Sequence, residues 1–177
     1  AFTLDEAGVR GRSHAFLGDR TGEVLARYRA AYPEATPARL YLQLFSDYSI
    51  QAPVIRQAER KLGAPAWLYR LDYASPALDG KLGATHTIET PFILDTVEAS
   101  RALLGAGDAP VRLARQMSQA WVAFAATGNP NDAASGLPQW PAYDATRRST
   151  LVLDRDSRVE ADAGRLAREA LADFVQG

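Results

Sequence analysis

The sequence predicts an α/β chain, mostly helices with a few strands and an incomplete sheet. Three observations point there. Apolar residues recur at helical spacing in several stretches, strand patterns are confined to two short ones, and glycine and proline punctuate the boundaries between them. Two strands beside about six helices make too narrow a sheet, because a two-stranded sheet is marginal on its own.

The elements follow in chain order. Thr3-Leu4-Asp5-Glu6 has the form of a capping box, so a helix is expected to start there, weakened by Gly8 and Gly11 and broken at Gly18-Asp19. A second short helix runs from Thr21 through Val24, Leu25 and Tyr28 to the stop at Tyr32-Pro33. Thr36-Pro37 supplies a cap and a first-turn proline ahead of the stripe Leu40, Tyr41, Leu44, Phe45 and Tyr48. Pro53 then either kinks this helix or opens the next, whose stripe is Val54, Ile55, Ala58 and Leu62 up to Gly63.

From Trp67 to Tyr73 the period changes to two, with Trp67, Tyr69, Leu71 and Tyr73 on one face, which reads as a strand. Ser75-Pro76 and Asp79-Gly80 mark a loop into Gly83–Leu94, where Pro91 argues against a regular helix. Val111, Ala114, Met117, Trp121, Phe124 and Ala125 trace one face of a long helix stopped by Thr127-Gly128-Asn129-Pro130. A loop at Trp140–Asp144, a short strand at Thr150–Asp154 and a terminal helix carrying Val159, Ala163, Leu166, Ala167, Ala170 and Phe174 complete the chain, with no repeat and no internal linker.

Composition narrows the chemistry. The 177 residues are 47% hydrophobic, with three Trp, seven Tyr and six Phe, enough for a core. Twenty basic against 21 acidic residues leave a net charge of -1, which gives no field for nucleic acid or an anionic membrane surface. Cysteine is absent, which excludes a disulfide scaffold, a thiolate nucleophile and any Cys-ligated metal. Two histidines far apart, His14 and His86, argue against a histidine metal site, so no metal and no cofactor are expected. No stretch approaches the ~20 apolar residues of a membrane span, and Ala1–Glu6 has neither the basic nor the apolar region of a secretory leader. These features favour a cytoplasmic setting without fixing one, and the chain reads as a piece of something longer.

His86 is the residue best suited to proton transfer, being a histidine in a turn-rich segment after a strand. On the residues alone two readings stand: a general base, or a loop histidine that only hydrogen-bonds. Burial and neighbours decide between them.

The run Gly83-Ala84-Thr85-His86-Thr87-Ile88-Glu89-Thr90-Pro91-Phe92-Ile93-Leu94 is similar to the histidine motif of the type B carboxylesterases, the family of cholinesterases and bacterial para-nitrobenzyl esterases. That motif reads glycine, two residues, histidine, two residues, glutamate, then proline with aromatic and aliphatic residues. Trp121–Asn131 resembles the family's helix end, Trp140–Asp144 its following loop, and Leu68–Pro76 the strand leading to the histidine. Together they cover most of residues 36 to 154 in the family's order.

The resemblance implies that residues 1–177 are the C-terminal part of an α/β-hydrolase fold, whose triad runs serine, acid, histidine along the chain. It implies that His86 is the catalytic histidine and that Glu89 supports the histidine loop, with plain solvation of Glu89 as the alternative. Substrate and partner would be a small carboxylic ester and the N-terminal catalytic portion of the same polypeptide. No Gly-x-Ser-x-Gly elbow surrounds Ser13, Ser46, Ser49, Ser75, Ser100, Ser118, Ser135, Ser149 or Ser157, and no glycine-rich oxyanion loop is present. Alone, the chain is therefore expected to be inactive.

Asp5-Glu6 resembles the family's acid pair, yet the capping box accounts for Glu6, and Phe2–Ala7 looks more like the helix after the acid loop. The aromatic residues Trp121, Phe124, Trp140 and Phe92 are read as packing, and His14, between arginines, as solvated. The rival to an esterase is a non-catalytic interaction module built on the same scaffold, against which the retained His86 argues. Unpaired strand edges and apolar surface facing the missing sheet further predict self-association of the isolated chain.

Overall fold

A computed structural model of the chain describes residues 3–61 and 63–174, which form two compact units. The first comprises Ala1–Leu62 with Gly164–Gly177, and the second Gly63–Ala163. Phe2 and Leu62, both used in the sequence reading, lie outside the described residues.

The first unit is helical: α1 (Glu6–Leu17), α2 (Thr21–Ala31), α3 (Pro37–Ser46), α4 (Ala52–Arg60) and α8 (Arg165–Ala170). Helix α1 is capped by Asp5, whose side chain accepts from the Gly8 N–H, and not by Thr3 as the capping-box pattern predicted. A carboxylate at the cap adds charge compensation for the free amides of the first turn, which a hydroxyl does not. Helix α3 starts as predicted, with the Thr36 side chain accepting from the Arg39 N–H and Pro37 in the first turn. Between α3 and α4 the backbone widens into a π-helical turn, Asp47–Gln51, and Pro53 then occupies the first turn of α4, where its missing N–H costs nothing. Leu17, Val24, Tyr28, Leu40, Leu44, Ala52, Ala167, Ala170 and Leu171 form this unit's core. Within it the Tyr28 hydroxyl donates to the buried Asp47 carboxylate at 2.8 Å, and burial pushes that phenol well above its ordinary range.

The second unit carries the sheet β1 (Leu68–Leu71), β2 (Ser149–Leu153) and β3 (Arg158–Ala161), in that order. Strands β1 and β2 run parallel, with Leu68 opposite Thr150 and Leu71 opposite Leu153, and β2 and β3 form an antiparallel hairpin. Sequence reasoning expected two strands. The third takes Val159 out of the predicted terminal helix, which shrinks to α8 and begins only after Gly164. Four residues with two charges, Arg158-Val159-Glu160-Ala161, are too short for a period-two signal to emerge. Strand β2 is buried throughout, while β1 pairs with β2 alone among the described strands and leaves its other edge open.

Against this sheet pack α5 (Thr90–Ile93), α6 (Arg101–Leu104) and α7 (Asp108–Thr127), around a core of Tyr73, Ile88, Phe92, Val97, Leu104, Leu113, Ala114, Met117, Trp140, Leu151 and Leu153. Helix α7 ends where predicted, with Gly128 at φ 76° and its N–H on the Phe124 carbonyl at 2.7 Å. Its last turns differ from the expected buried face, since Val122, Phe124, Ala125 and Ala126 are exposed. Helix α5 exists despite Pro91, because a proline in the first turn interrupts no intrahelical hydrogen bond.

Candidate active site

Strand β1 delivers the chain to the histidine loop through two anchors. The Asp72 N–H donates to the Leu153 carbonyl at 2.9 Å, extending the ladder by one residue. The buried Tyr73 then donates its hydroxyl to the Leu104 carbonyl at 2.6 Å and packs edge-on against Phe92, with ring centroids 4.9 Å apart. Burial raises the Tyr73 phenol pKa, opposed by the Arg155 guanidinium that lies 5.3 Å over its ring. Ser75 is the second anchor and is also buried. Its hydroxyl donates to the Leu103 carbonyl at 2.6 Å and accepts from the Ala77 N–H at 3.1 Å, while its N–H donates to the Gly83 carbonyl at 3.0 Å. The loop between Ser75 and Gly83 is thereby closed on itself and tied to α6.

Directly beyond this closure, the Ile88 N–H donates to the Thr85 carbonyl at 3.2 Å and the Thr90 N–H to the Thr87 carbonyl at 3.1 Å. His86 and Thr87 stand exposed on this double turn, whereas Ile88 and Phe92 sink into the core at 1% and 0% exposure. The histidine is thus carried on a segment fixed on both sides, and among the described residues its imidazole has no hydrogen-bond partner. An exposed ring with both nitrogens free is sterically open to a proton donor or acceptor brought to it.

Glu89 is half-buried at the residue before α5, where its backbone carbonyl accepts from Phe92 and Ile93. No hydrogen bond joins its carboxylate to His86. Its charge acts instead on Tyr69 of β1, whose phenol pKa is raised first by burial and then by Glu89. Glu89 is thus close enough to Tyr69 for its charge to act on that phenol.

Strand β1 is held by an aromatic group that sequence reasoning assigned to packing. Tyr69 meets Trp121 edge-on at 5.0 Å and Trp140 at 6.3 Å, and the Trp140 indole N–H donates to the Leu68 carbonyl at 3.1 Å. Trp140 is itself clamped by Asn131, which donates to its carbonyl at 2.9 Å and accepts from its N–H at 2.7 Å. Tyr73, Ser75 and Asn131 were not singled out for these roles. The carbonyls that Tyr73 and Ser75 reach lie 31 and 28 residues along the chain and the Trp140 that Asn131 holds lies nine, and only the turn-forming pair Ser75-Pro76 hinted at a fixed corner.

The remaining candidates belong to the first unit. The exposed His14 ring is hydrogen-bonded through Nδ1 to the Gly18 carbonyl at 2.9 Å at the end of α1, and so acts as a helix-end residue. Glu6 opens α1 and pairs with Arg29 at 2.5 Å. Among the described residues no three His, Asp or Glu side chains gather as a metal site needs.

Residues 19–170 match the carboxylesterase family, and the chain belongs to that family. It is 29% identical over 143 residues to the para-nitrobenzyl esterase of Bacillus subtilis (strain 168), covering 79% of this chain and 28% of that protein. To the phenmedipham hydrolase of Pseudarthrobacter oxydans it is 35% identical over 112 residues, covering 60% of this chain and 22% of that protein. A crystal structure of a Geobacillus stearothermophilus carboxylesterase at pH 6.2 superposes with a TM-score of 0.81 at 28% identity, over 96% of this chain and 35% of that one. The chain thus spans only 22% to 28% of the length of these two curated relatives. The fold is that of the carboxylesterases, an α/β-hydrolase of which this sheet is a part.

Proposed function

We propose that this chain supplies the catalytic histidine, His86, to a serine carboxylesterase acting on small carboxylic esters. The observation that carries the proposal is the exposed, unpartnered imidazole on a turn anchored by Ile88 and Phe92 on one side and Ser75 on the other. Such a ring takes the proton of a serine hydroxyl as that oxygen attacks the ester carbonyl, then returns it to the leaving alcohol. Water resolves the acyl-enzyme by the same route, and a carboxylate on the second ring nitrogen holds the orientation.

Serine, acid and oxyanion donors are contributed by a part of the polypeptide outside these 177 residues. The open edge of β1 and the exposed Tyr69, Val122 and Phe124 support this reading, because an unpaired edge and large exposed apolar side chains are ordinarily covered. The same surface makes the isolated chain associate with itself, and sedimentation that showed a monomer at high concentration would count against that. The functional test is multiple-turnover hydrolysis of p-nitrophenyl butyrate. The chain alone is expected to show none beyond free imidazole, and the complete polypeptide to turn over. Turnover by the chain alone, lost in His86→Ala, would mean that it holds its own nucleophile.

A further inference from the structure

We propose that Thr87 is a positioning residue for His86: its left-handed backbone, locked by its own hydroxyl, sets the direction in which the imidazole leaves the loop. This rests on His86 being the general base. Thr87 has φ 68°, and its hydroxyl donates to the His86 carbonyl at 2.6 Å. In the turn Thr85–Ile88, closed by the Ile88 N–H on the Thr85 carbonyl, Thr87 holds the third position, where a positive φ selects glycine or asparagine. A β-branched side chain there is a steric outlier, because its second branch crowds the backbone.

The other non-glycine residues with positive φ are Leu78, Asp79, Asp95, Arg148 and Asp162. Three of these five are aspartates, which tolerate this region, and Thr87 is the single β-branched non-glycine residue with positive φ among the described residues. Core packing does not explain the choice, since the Thr87 side chain is exposed. The backbone is held in place by its neighbours instead: Ile88 is buried at 1% exposure, and the Thr85 and Thr87 carbonyls both accept turn hydrogen bonds. Strain maintained beside a reactive group by the structure around it is the pattern of preorganisation. The hydroxyl fixes the peptide between residues 86 and 87, and with it the Cα–Cβ direction of His86. Rotation of that peptide would swing the ring, and a displacement of about 1 Å costs on the order of a hundredfold in rate.

The test is steady-state hydrolysis of p-nitrophenyl butyrate by the complete polypeptide carrying Thr87→Val, Thr87→Gly, Thr87→Ser or His86→Ala. Valine keeps the branching and loses the hydroxyl. Glycine also loses the hydroxyl but adopts the turn without strain, so it reports even where the valine variant does not fold. Both are expected to lower kcat about tenfold to a hundredfold with KM unchanged, and serine to restore most of it. In this chain, ring relaxation measured by NMR should show the His86 imidazole more mobile in Thr87→Gly than in Thr87→Ser. A wild-type kcat in Thr87→Gly, or a serine variant as impaired as glycine, overturns the inference. If His86→Ala abolishes turnover while Thr87→Gly does not reduce it, the Thr87 inference alone falls. If His86→Ala retains turnover, the histidine reading falls with it.

Discussion

Replacing Asn131 with alanine should uncouple the loop after α7 from the strand that leads to His86. The Asn131 side chain accepts from the Trp140 N–H at 2.7 Å and donates to the Trp140 carbonyl at 2.9 Å, and Trp140 is only 5% exposed. Removing it leaves a buried amide without a partner, which costs about 1–3 kcal/mol, and loses a second hydrogen bond worth about 0.5–1.5 kcal/mol. The sum is about 1.5–4.5 kcal/mol. With a urea slope of about 2 kcal/mol per M, the midpoint should fall by roughly 1–2 M. Trp67, Trp121 and Trp140 are the three tryptophans of the chain, and all lie in the unit Gly63–Ala163, so indole fluorescence reports on that unit separately. Asn131→Asp keeps the acceptor and loses the donor, and should fall between alanine and wild type. A midpoint for Asn131→Ala within about 0.3 M of wild type, less than the loss of one buried hydrogen bond predicts, would show that the clamp does not hold Trp140 in place.

Two further outcomes follow from the same contacts. Gly105 has φ 84°, and a Cβ there would stand 2.7 Å from Cγ of Pro76, in the loop tied to α6; Gly105→Ala should cost about 2–4 kcal/mol by the same fluorescence titration, from backbone strain and overpacking together. Tyr28 and Tyr73 are 0% and 1% exposed and burial raises both phenol pKa values, so the folded chain retains phenol protons that the unfolded chain loses. Their contribution to stability is complete below the ordinary phenol value of about 10 and declines as pH rises above it. Absorbance at 295 nm during an alkaline titration should show these two ionising only together with unfolding, and free ionisation of all seven tyrosines in the folded chain would refute their burial.

The elements with local signals were legible in the sequence. Thr36-Pro37 marked the start of α3 and Gly128 the end of α7, because caps and stops act over three or four residues. Strand β3 was not, since its pairing with β2 supplies the stability that four residues lack in isolation. The exposed end of α7 shows another limit. Periodicity located Val111, Ala114, Met117, Trp121, Phe124 and Ala125 on one face, but nothing in it tells whether that face is covered over its whole length. Likewise the motif singled out His86 as a candidate, while the contacts that hold its loop gave no sign in the sequence. Tyr73 and Ser75 reach carbonyls 31 and 28 residues away, and the left-handed backbone of Thr87 is not a conformation that threonine prefers.

The most direct test is the rate of p-nitrophenyl butyrate hydrolysis by the complete polypeptide with His86 changed to alanine. If His86 is the general base and acid, kcat falls by about 10⁴- to 10⁶-fold, and the residual rate comes from substrate binding and oxyanion stabilisation alone. A variant that kept kcat within about tenfold of wild type would place the proton transfer on another residue, because general acid–base catalysis alone contributes about a hundredfold or more.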